Sequence, residues 1–205
     1  MVLDTETTGL PRRVVSGDQN NYDSCRMVQL AWAIYRDDGQ RVSERSFIVK
    51  PDGFEIPDSA TRIHGISTER ALSEGTPIRD VLQHLFDEIA LQHVDTIVAH
   101  NMSFDHSVIS SEIYRYALTG GGTGGTGGGT GGRDVGLVDP RCIERWSKIP
   151  RKCTMLMGQL PGQRWPKLID LYRRLYGKEP DETLHRADAD VNVCADVYFR
   201  LIGVY

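Results

Sequence analysis

Met1-Val2-Leu3-Asp4-Thr5-Glu6-Thr7-Thr8-Gly9-Leu10-Pro11 begins the chain. The apolar triplet running into Asp4 predicts a short strand, and alternate residues on a strand share a face. Asp4 and Glu6 therefore project together where that strand runs out. Two like charges so close repel unless a cation occupies the space between them. Thr7-Thr8-Gly9 then turns the chain away. One acidic pair is usually no more than a solvated surface, so its meaning depends on what else converges on it.

Two distant segments carry matching chemistry. In His100-Asn101-Met102-Ser103-Phe104-Asp105, the aspartate follows the apolar run Thr96–Ala99 and opens a helix, where the helix dipole favours an anion. In His185-Arg186-Ala187-Asp188-Ala189-Asp190, Asp190 falls on the same helical face as Ala187 and Cys194, beside a core stripe. A carboxylate at the edge of buried surface needs a partner. Ala187 leaves room for a backbone or a metal, and His185 precedes the helix where it can reach the same place. Asp188, two residues from Asp190, points elsewhere. Four carboxylates, an imidazole and two strand ends are the parts of two-metal hydrolysis. Oxygen ligands favour two divalent ions of the Mg²⁺ or Mn²⁺ type over zinc. Imidazole is the side chain suited to taking a proton from an attacking water near neutrality.

Outward from these segments, large apolar residues alternate at Val28, Leu30, Trp32 and Ile34, with Gln29, Ala31 and Ala33 between them, which predicts a strand. Asp38-Gly39 marks a turn, and Arg45–Val49 reads as the returning strand. Pro77 begins a helix with the stripe Ile78, Val81, Leu82, Leu85, Phe86 and Ile89. Thr96–Ala99 reads as a buried strand. Helices are predicted for Phe104–Leu118, with Val108, Ile109, Ile113 and Tyr116 apolar, for Pro166–Tyr176 closed by Gly177, and for Ala187–Ile202. Strands come first, then helix, strand and helices, which suggests a mixed sheet covered by helices. Residues 11–26 read as a loop. Thr119–Gly132 holds only Gly and Thr and predicts a flexible insertion into a single domain spanning 1–205.

A chain of 205 residues with 40% hydrophobic content suits one α/β domain. No apolar run reaches the roughly 18 residues of a membrane span. The first residues lack the features of a signal peptide, so the expectation is a soluble, intracellular protein. Cys25, Cys142, Cys153 and Cys194 form no C-x-x-C pair, which predicts reduced thiols rather than zinc ligands. The net charge of −4 excludes coating nucleic acid by bulk attraction. The charge is uneven, however. Arg133–Lys178 has 11 Lys or Arg against 4 Asp or Glu, leaving the remainder strongly acidic. A basic flank beside an acidic centre suits an anionic polymer, as it would a merely solvated surface.

In these residues the chain resembles the DEDDh exonucleases, the group of the proofreading epsilon subunit, oligoribonuclease and the three-prime repair exonucleases. The motifs are Asp4-Thr5-Glu6, then N-x-x-F-D at Asn101–Asp105, then H-x-A-x-x-D at His185–Asp190. Ile63-His64-Gly65-Ile66 resembles the base-pocket segment, and Cys153-Thr154-Met155 with Lys167–Gly177 resembles the connecting region. The resemblance implies a ribonuclease H-like α/β fold, with three antiparallel strands, two further parallel strands and helices on both faces. It implies that Asp4 bridges two metals, that Glu6 and Asp190 complete one site, and that Asp105 holds the other. His185 would be the general base. Thr7, Leu10, Ile63, His64, Asn101 and Phe104 would position the terminal nucleotide of a single-stranded 3′ end, DNA in preference to RNA. A catalytically silent binding subunit is the alternative, and it would have lost one of these acids or the His. No partner helix stands out, so a polymerase or a second copy of the chain as partner stays open. Only three residues precede Asp4, whereas the family's first strand is longer, so either the start is misplaced or the strand is trimmed. Its neighbours' ladder groups would then lack partners.

Overall fold

The computed structural model describes residues 1–10, 25–119, 140–182 and 184–205. The predicted 11–24 part of the loop and the insertion beyond Thr119 lie outside the described residues, as does the side chain of Tyr116.

Five strands form one sheet in the order β3-β2-β1-β4-β5. These are β1 (Val2–Thr7), β2 (Met27–Tyr35), β3 (Arg41–Ile48), β4 (Ile97–Ala99) and β5 (Arg151–Cys153). β1, β2 and β3 pair antiparallel, while β4 and β5 run parallel to β1. This is the arrangement of three antiparallel and two parallel strands that the resemblance implies. Eight helices are described: α1 (Asp58–His64), α2 (Thr68–Glu74), α3 (Ile78–Leu91), α4 (Met102–Thr119), α5 (Pro140–Lys148), α6 (Thr154–Met157), α7 (Leu168–Tyr176) and α8 (Ala187–Leu201).

Several boundaries differ from the sequence reading, each for a local reason. β1 does not stop at Asp4. Pairing with β2 carries it through the polar residues to Thr7, so Asp4 and Glu6 lie within the strand. β3 starts at Arg41, four residues before the expected Arg45, because an edge strand with an exposed face needs no apolar signal. α4 begins at Met102 and runs through Thr119, and α7 begins at Leu168, after Pro166. The ladder groups near the chain start are paired. The Met1 amine donates to the Thr96 carbonyl at 2.9 Å, and the Val98 N–H donates to the Met1 carbonyl at 2.8 Å. Burial lowers that amine's pKa to about 6.

The alternation along β2 is one of size. Every residue from Met27 to Ile34 is buried, because helices cover both faces of the sheet. Leu30, Trp32 and Ile34 pack with Leu3 against α3 and α4, in the larger core. The Ile78–Ile89 stripe of α3 is buried there throughout. On the other face Ala31 and Ala33 meet Val2, Val98 and the start of α8 at Ala187, Val191 and Cys194. Small residues on both sides let the backbone of α8 lie close to β2 and bring its first turn over β1. Trp146 of α5 is core, stacked on His106 and edge-on to Phe86. All four cysteines are free thiols, and no described helix is long and apolar enough to cross a membrane.

Filling the α8 interface should displace that helix. Ala33→Leu is expected to cost about 1–3 kcal/mol, the range for overpacking a dense core. The urea midpoint would fall in equilibrium unfolding, whereas an unchanged midpoint would show that this face is loosely packed.

Candidate active site

Three carboxylates converge where the small-residue interface holds α8 against β1. Asp4, Glu6 and Asp190 offer oxygens that all lie within 4.8 Å of one another. Asp4 and Glu6 share the face of β1 that α8 covers, as their spacing requires. Asp190 comes down from the first turn of α8. Its Oδ2 accepts the His185 N–H at 3.0 Å, which draws the preceding residue over the cluster. His185 has φ 74°, a left-handed conformation unusual for this residue, and is exposed beside Asp190. Asp188 turns out to the surface and pairs with Arg186 at 2.7 Å.

Asp105 arrives differently. β4 pairs with β1 only at Val2 and ends at Ala99, so the edge of β1 beyond that point has no strand beside it. Asp105 fills the gap. Its Oδ1 accepts both the Thr5 N–H, at 3.0 Å, and the Thr5 hydroxyl, at 2.8 Å. The carboxylate is thereby buried and fixed next to the trio without belonging to it. An unpaired strand N–H and a buried acid satisfy each other.

The electrostatics follow from this crowding. Burial first, then the charges of Asp105, Asp190 and Glu6, push the Asp4 carboxyl well above its ordinary range. Glu6 rises to about 7, from burial and then from Asp190 and Asp105. Burial lifts Asp105 to about 7 against the opposing hydrogen bonds from Thr5. Asp190 rises to about 6 by burial, with His185 pulling the other way. Protons or cations must neutralise such a cluster, and at neutral pH its all-oxygen donor set fits hard divalent ions.

A cavity of about 350 Å³ adjoins the trio at Glu6, lined by Thr5–Leu10, by Ser59, Ala60, Ile63 and His64 of α1, and by Phe104. Leu10 is 81% and Ile63 60% exposed, and both line this cavity. His64 is buried and ends α1, where Gly65 caps the helix at φ 74°. Its Nδ1 accepts the Ile66 N–H at 3.2 Å, so the neutral ring carries its proton on Nε2. Nε2 completes no hydrogen bond, although the nearby Thr7 carbonyl opposes the lowering of the ring's pKa by burial. The structure thus brings Thr7, Leu10, Ile63, His64 and Phe104 together. Asn101 does not line this cavity. It begins α4 in a left-handed conformation, φ 68°, with its side chain accepting from Ser103.

Two polar residues to which the sequence reading gave no role support the acids. Thr5 orients Asp105. Gln29, buried in the middle of β2, donates to Ser46 at 3.0 Å and accepts the Ala187 N–H at 3.2 Å. The N-cap residue of α8, Arg186, supplies no side-chain cap, so Gln29 caps the helix from across the sheet. For Gln29 the available signal was a polar residue inside an apolar strand.

The family model described as Exonuclease, RNase_T, matches residues 1–119, more than half of the chain. The chain belongs to this exonuclease family. Among solved structures, exonuclease I of Methylocaldum szegediense is similar at 18% identity and a TM-score of 0.64, covering 98% of this chain and 39% of that one. Escherichia coli exonuclease I in complex with a dT13 oligonucleotide is similar at 19% identity and a TM-score of 0.67, covering 98% and 40%. This exonuclease-family chain therefore spans about two-fifths of the length of those structures and shares their ribonuclease H-like fold. No curated protein sequence matches it significantly.

The raised carboxyl pKa values carry a stability consequence with a definite sign. Because the folded acids bind protons more tightly than the unfolded chain does, their contribution to stability is fully present below about pH 4 and is lost as pH climbs through 6 to 7. The EDTA-treated protein should therefore melt lower at pH 8 than at pH 5. Mg²⁺ at about a hundredfold over its Kd should raise Tm by about 5–10 °C at pH 8. The rise at pH 5 should be smaller, and equal Mg²⁺ shifts at both pH values in differential scanning fluorimetry would contradict the assignment.

Proposed function

We propose that this chain is a 3′–5′ exonuclease that hydrolyses the terminal phosphodiester of single-stranded nucleic acid, DNA in preference to RNA, and releases nucleoside 5′-monophosphates. The observation carrying this reading is the carboxylate trio opening directly onto a cavity with an exposed apolar rim. Hydrolytic machinery and a recess of nucleotide size share Glu6 as a common wall.

Asp4, Glu6 and Asp190 would hold one divalent ion, Asp4 and Asp105 a second. Two ions of the Mg²⁺ or Mn²⁺ type would supply charge neutralisation and stabilise the attacking and leaving oxygens of the phosphodiester. The chain's own residues do the rest. Thr5 holds Asp105 in one orientation, so little reorganisation is needed when substrate arrives. Leu10 and Ile63 pack on the faces of the terminal base, with Phe104 behind them. His64 lines the recess with a buried Nε2–H that completes no hydrogen bond among the described residues. Thr7 lines the recess near the 3′ hydroxyl, whereas Asn101 stands outside it, with its side-chain oxygen engaged by Ser103. His185 accepts a proton on its imidazole as water attacks phosphorus. The bond from phosphorus to the upstream 3′ oxygen breaks, and that oxygen takes a proton from solvent, leaving a shortened strand with a new 3′ hydroxyl. Exposure suits His185 to passing that proton to solvent afterwards. The DNA preference draws support from the similar structure bound to a dT13 oligonucleotide and from the Thr-Thr-Gly-Leu-Pro and His-Gly-Ile segments.

Digestion of 5′-labelled and 3′-labelled DNA and RNA oligomers tests polarity and sugar together. A ladder shortening from the 3′ end is expected with Mg²⁺ or Mn²⁺, and none with EDTA. Asp4→Ala and Asp190→Ala should each lower kcat by about 10³-fold or more, on the scale of a lost transition-state charge stabiliser. His185→Ala should lose about 10²–10⁴-fold. Wild-type rates in either Asp variant would refute the site.

A further inference from the structure

We propose that Trp165, between Arg164 and Lys167, is a stacking platform for bases upstream of the terminal nucleotide; this rests on the exonuclease reading and extends its substrate contact. Trp32 and Trp146 are buried in the core, whereas Trp165 is 56% exposed and stacks on no other ring among the described residues. An exposed indole normally calls for an occupant, since its flat apolar faces gain nothing from water.

A buried clasp holds the segment carrying Trp165 in place. The Pro166 carbonyl accepts from His100 Nε2 at 3.0 Å, and His100 Nδ1 meets the Thr154 hydroxyl at 2.9 Å. Thr154 is fully buried and lies 3.6 Å from the Cys194 sulfur of α8. Burial lowers the His100 pKa, against the opposing effect of its hydrogen bond to the Pro166 carbonyl. On the following side, Leu168 packs on the Val98, Ala187 and Val191 cluster. Trp165 is therefore an exposed ring next to a rigid anchor.

The anchor fixes its place in the molecule. His100 directly follows β4, at the carboxyl end of the parallel strands, where β1 delivers Glu6 and α4 delivers Asp105. Ala187 and Val191 belong to the turn of α8 that carries Asp190. Trp165 immediately precedes Pro166, about 3.8 Å along the backbone, and so lies beside this junction.

Charge identifies the occupant. Between Arg151 and Lys167 the chain carries four cations, Arg151, Lys152, Arg164 and Lys167, and no Asp or Glu. Arg164 and Lys167 are exposed, with no acidic partner among the described residues. An aromatic face flanked by unpaired cations, in a chain of net charge −4, matches a single strand, whose bases stack while its phosphates meet the cations. Every base has such a face, so the contact tolerates any sequence.

The test compares wild type, Trp165→Ala and Trp165→Phe on a thymidine dinucleotide and on an oligothymidylate of about 15 nucleotides, long enough to fill a single-strand groove. For the long substrate, Trp165→Ala should raise KM, and Kd in EDTA, by roughly 5- to 100-fold, with kcat unchanged and Trp165→Phe restoring most of the loss. Dinucleotide hydrolysis should not change, and the long oligomer should quench the fluorescence of Trp165. Unaltered long-strand binding by Trp165→Ala, as expected of a surface for a protein partner, would overturn the proposal. Equal losses on both substrates with no rescue by Phe would overturn it too, by marking a role in the fold. Quenched binding by a wild type that hydrolyses nothing would instead sink the exonuclease reading and leave the platform standing.

Discussion

Mutual repulsion among acids held in a partly buried space is the constraint around which this molecule is organised. Asp4, Glu6 and Asp190 meet within 4.8 Å, with Asp105 fixed beside them. Among the described residues no Lys or Arg pairs with them, and burial raises the proton affinity of all four. Such an arrangement is unfavourable for folding alone and persists only where the surrounding packing enforces it. The large core on one face of the sheet, the alanine-rich interface with α8 on the other, and the cap that Gln29 places on α8 are what enforce it.

The sheet topology explains why the acids gather here. β1 is central, flanked by antiparallel β2 and by parallel β4, but β4 covers it only at Val2. The exposed edge beyond is a break in an otherwise closed ladder, at the carboxyl end of the parallel strands where open α/β sheets bind ligands. Asp105 closes the break with a side chain in place of a strand. Among the described residues, two of the three non-glycine residues with positive φ, Asn101 and His185, lie at the starts of the two helices that deliver acids. Local strain is thus concentrated at the site, with stable packing on either side.

Much of this was legible in the sequence, because i, i+2 on a strand and i, i+3, i+4 on a helix convert directly into faces. Asp4 with Glu6, the α3 stripe, and Asp190 with Ala187 and Cys194 were all read that way. Five members of the nucleotide recess were also named, through the resemblance rather than through periodicity. The sequence hid whatever depends on pairing between distant segments. β1 reaches Thr7 because β2 lies beside it, although Asp-Thr-Glu-Thr carries no apolar signal. β5, with the sequence Arg-Lys-Cys, is a strand by its position next to β4 alone. α1 and α2 are seven residues each, too short to show a stripe, and their signals are the Pro57 start with the Gly65 stop and the Ser67 cap. The size alternation in β2 marks a strand but not its second buried face, since alanines that admit a helix backbone look like alanines that face solvent.

Binding of Mn²⁺ followed by anomalous diffraction addresses the central claim most directly. Crystals of the protein equilibrated with Mn²⁺ should show an anomalous peak among Asp4, Glu6 and Asp190, on the order of 2.1 Å from their oxygens. A second peak is expected on the Asp105 side of Asp4, and Asp4→Asn should erase both. Manganese bound elsewhere, with the three carboxylates paired to protein groups, would contradict the account.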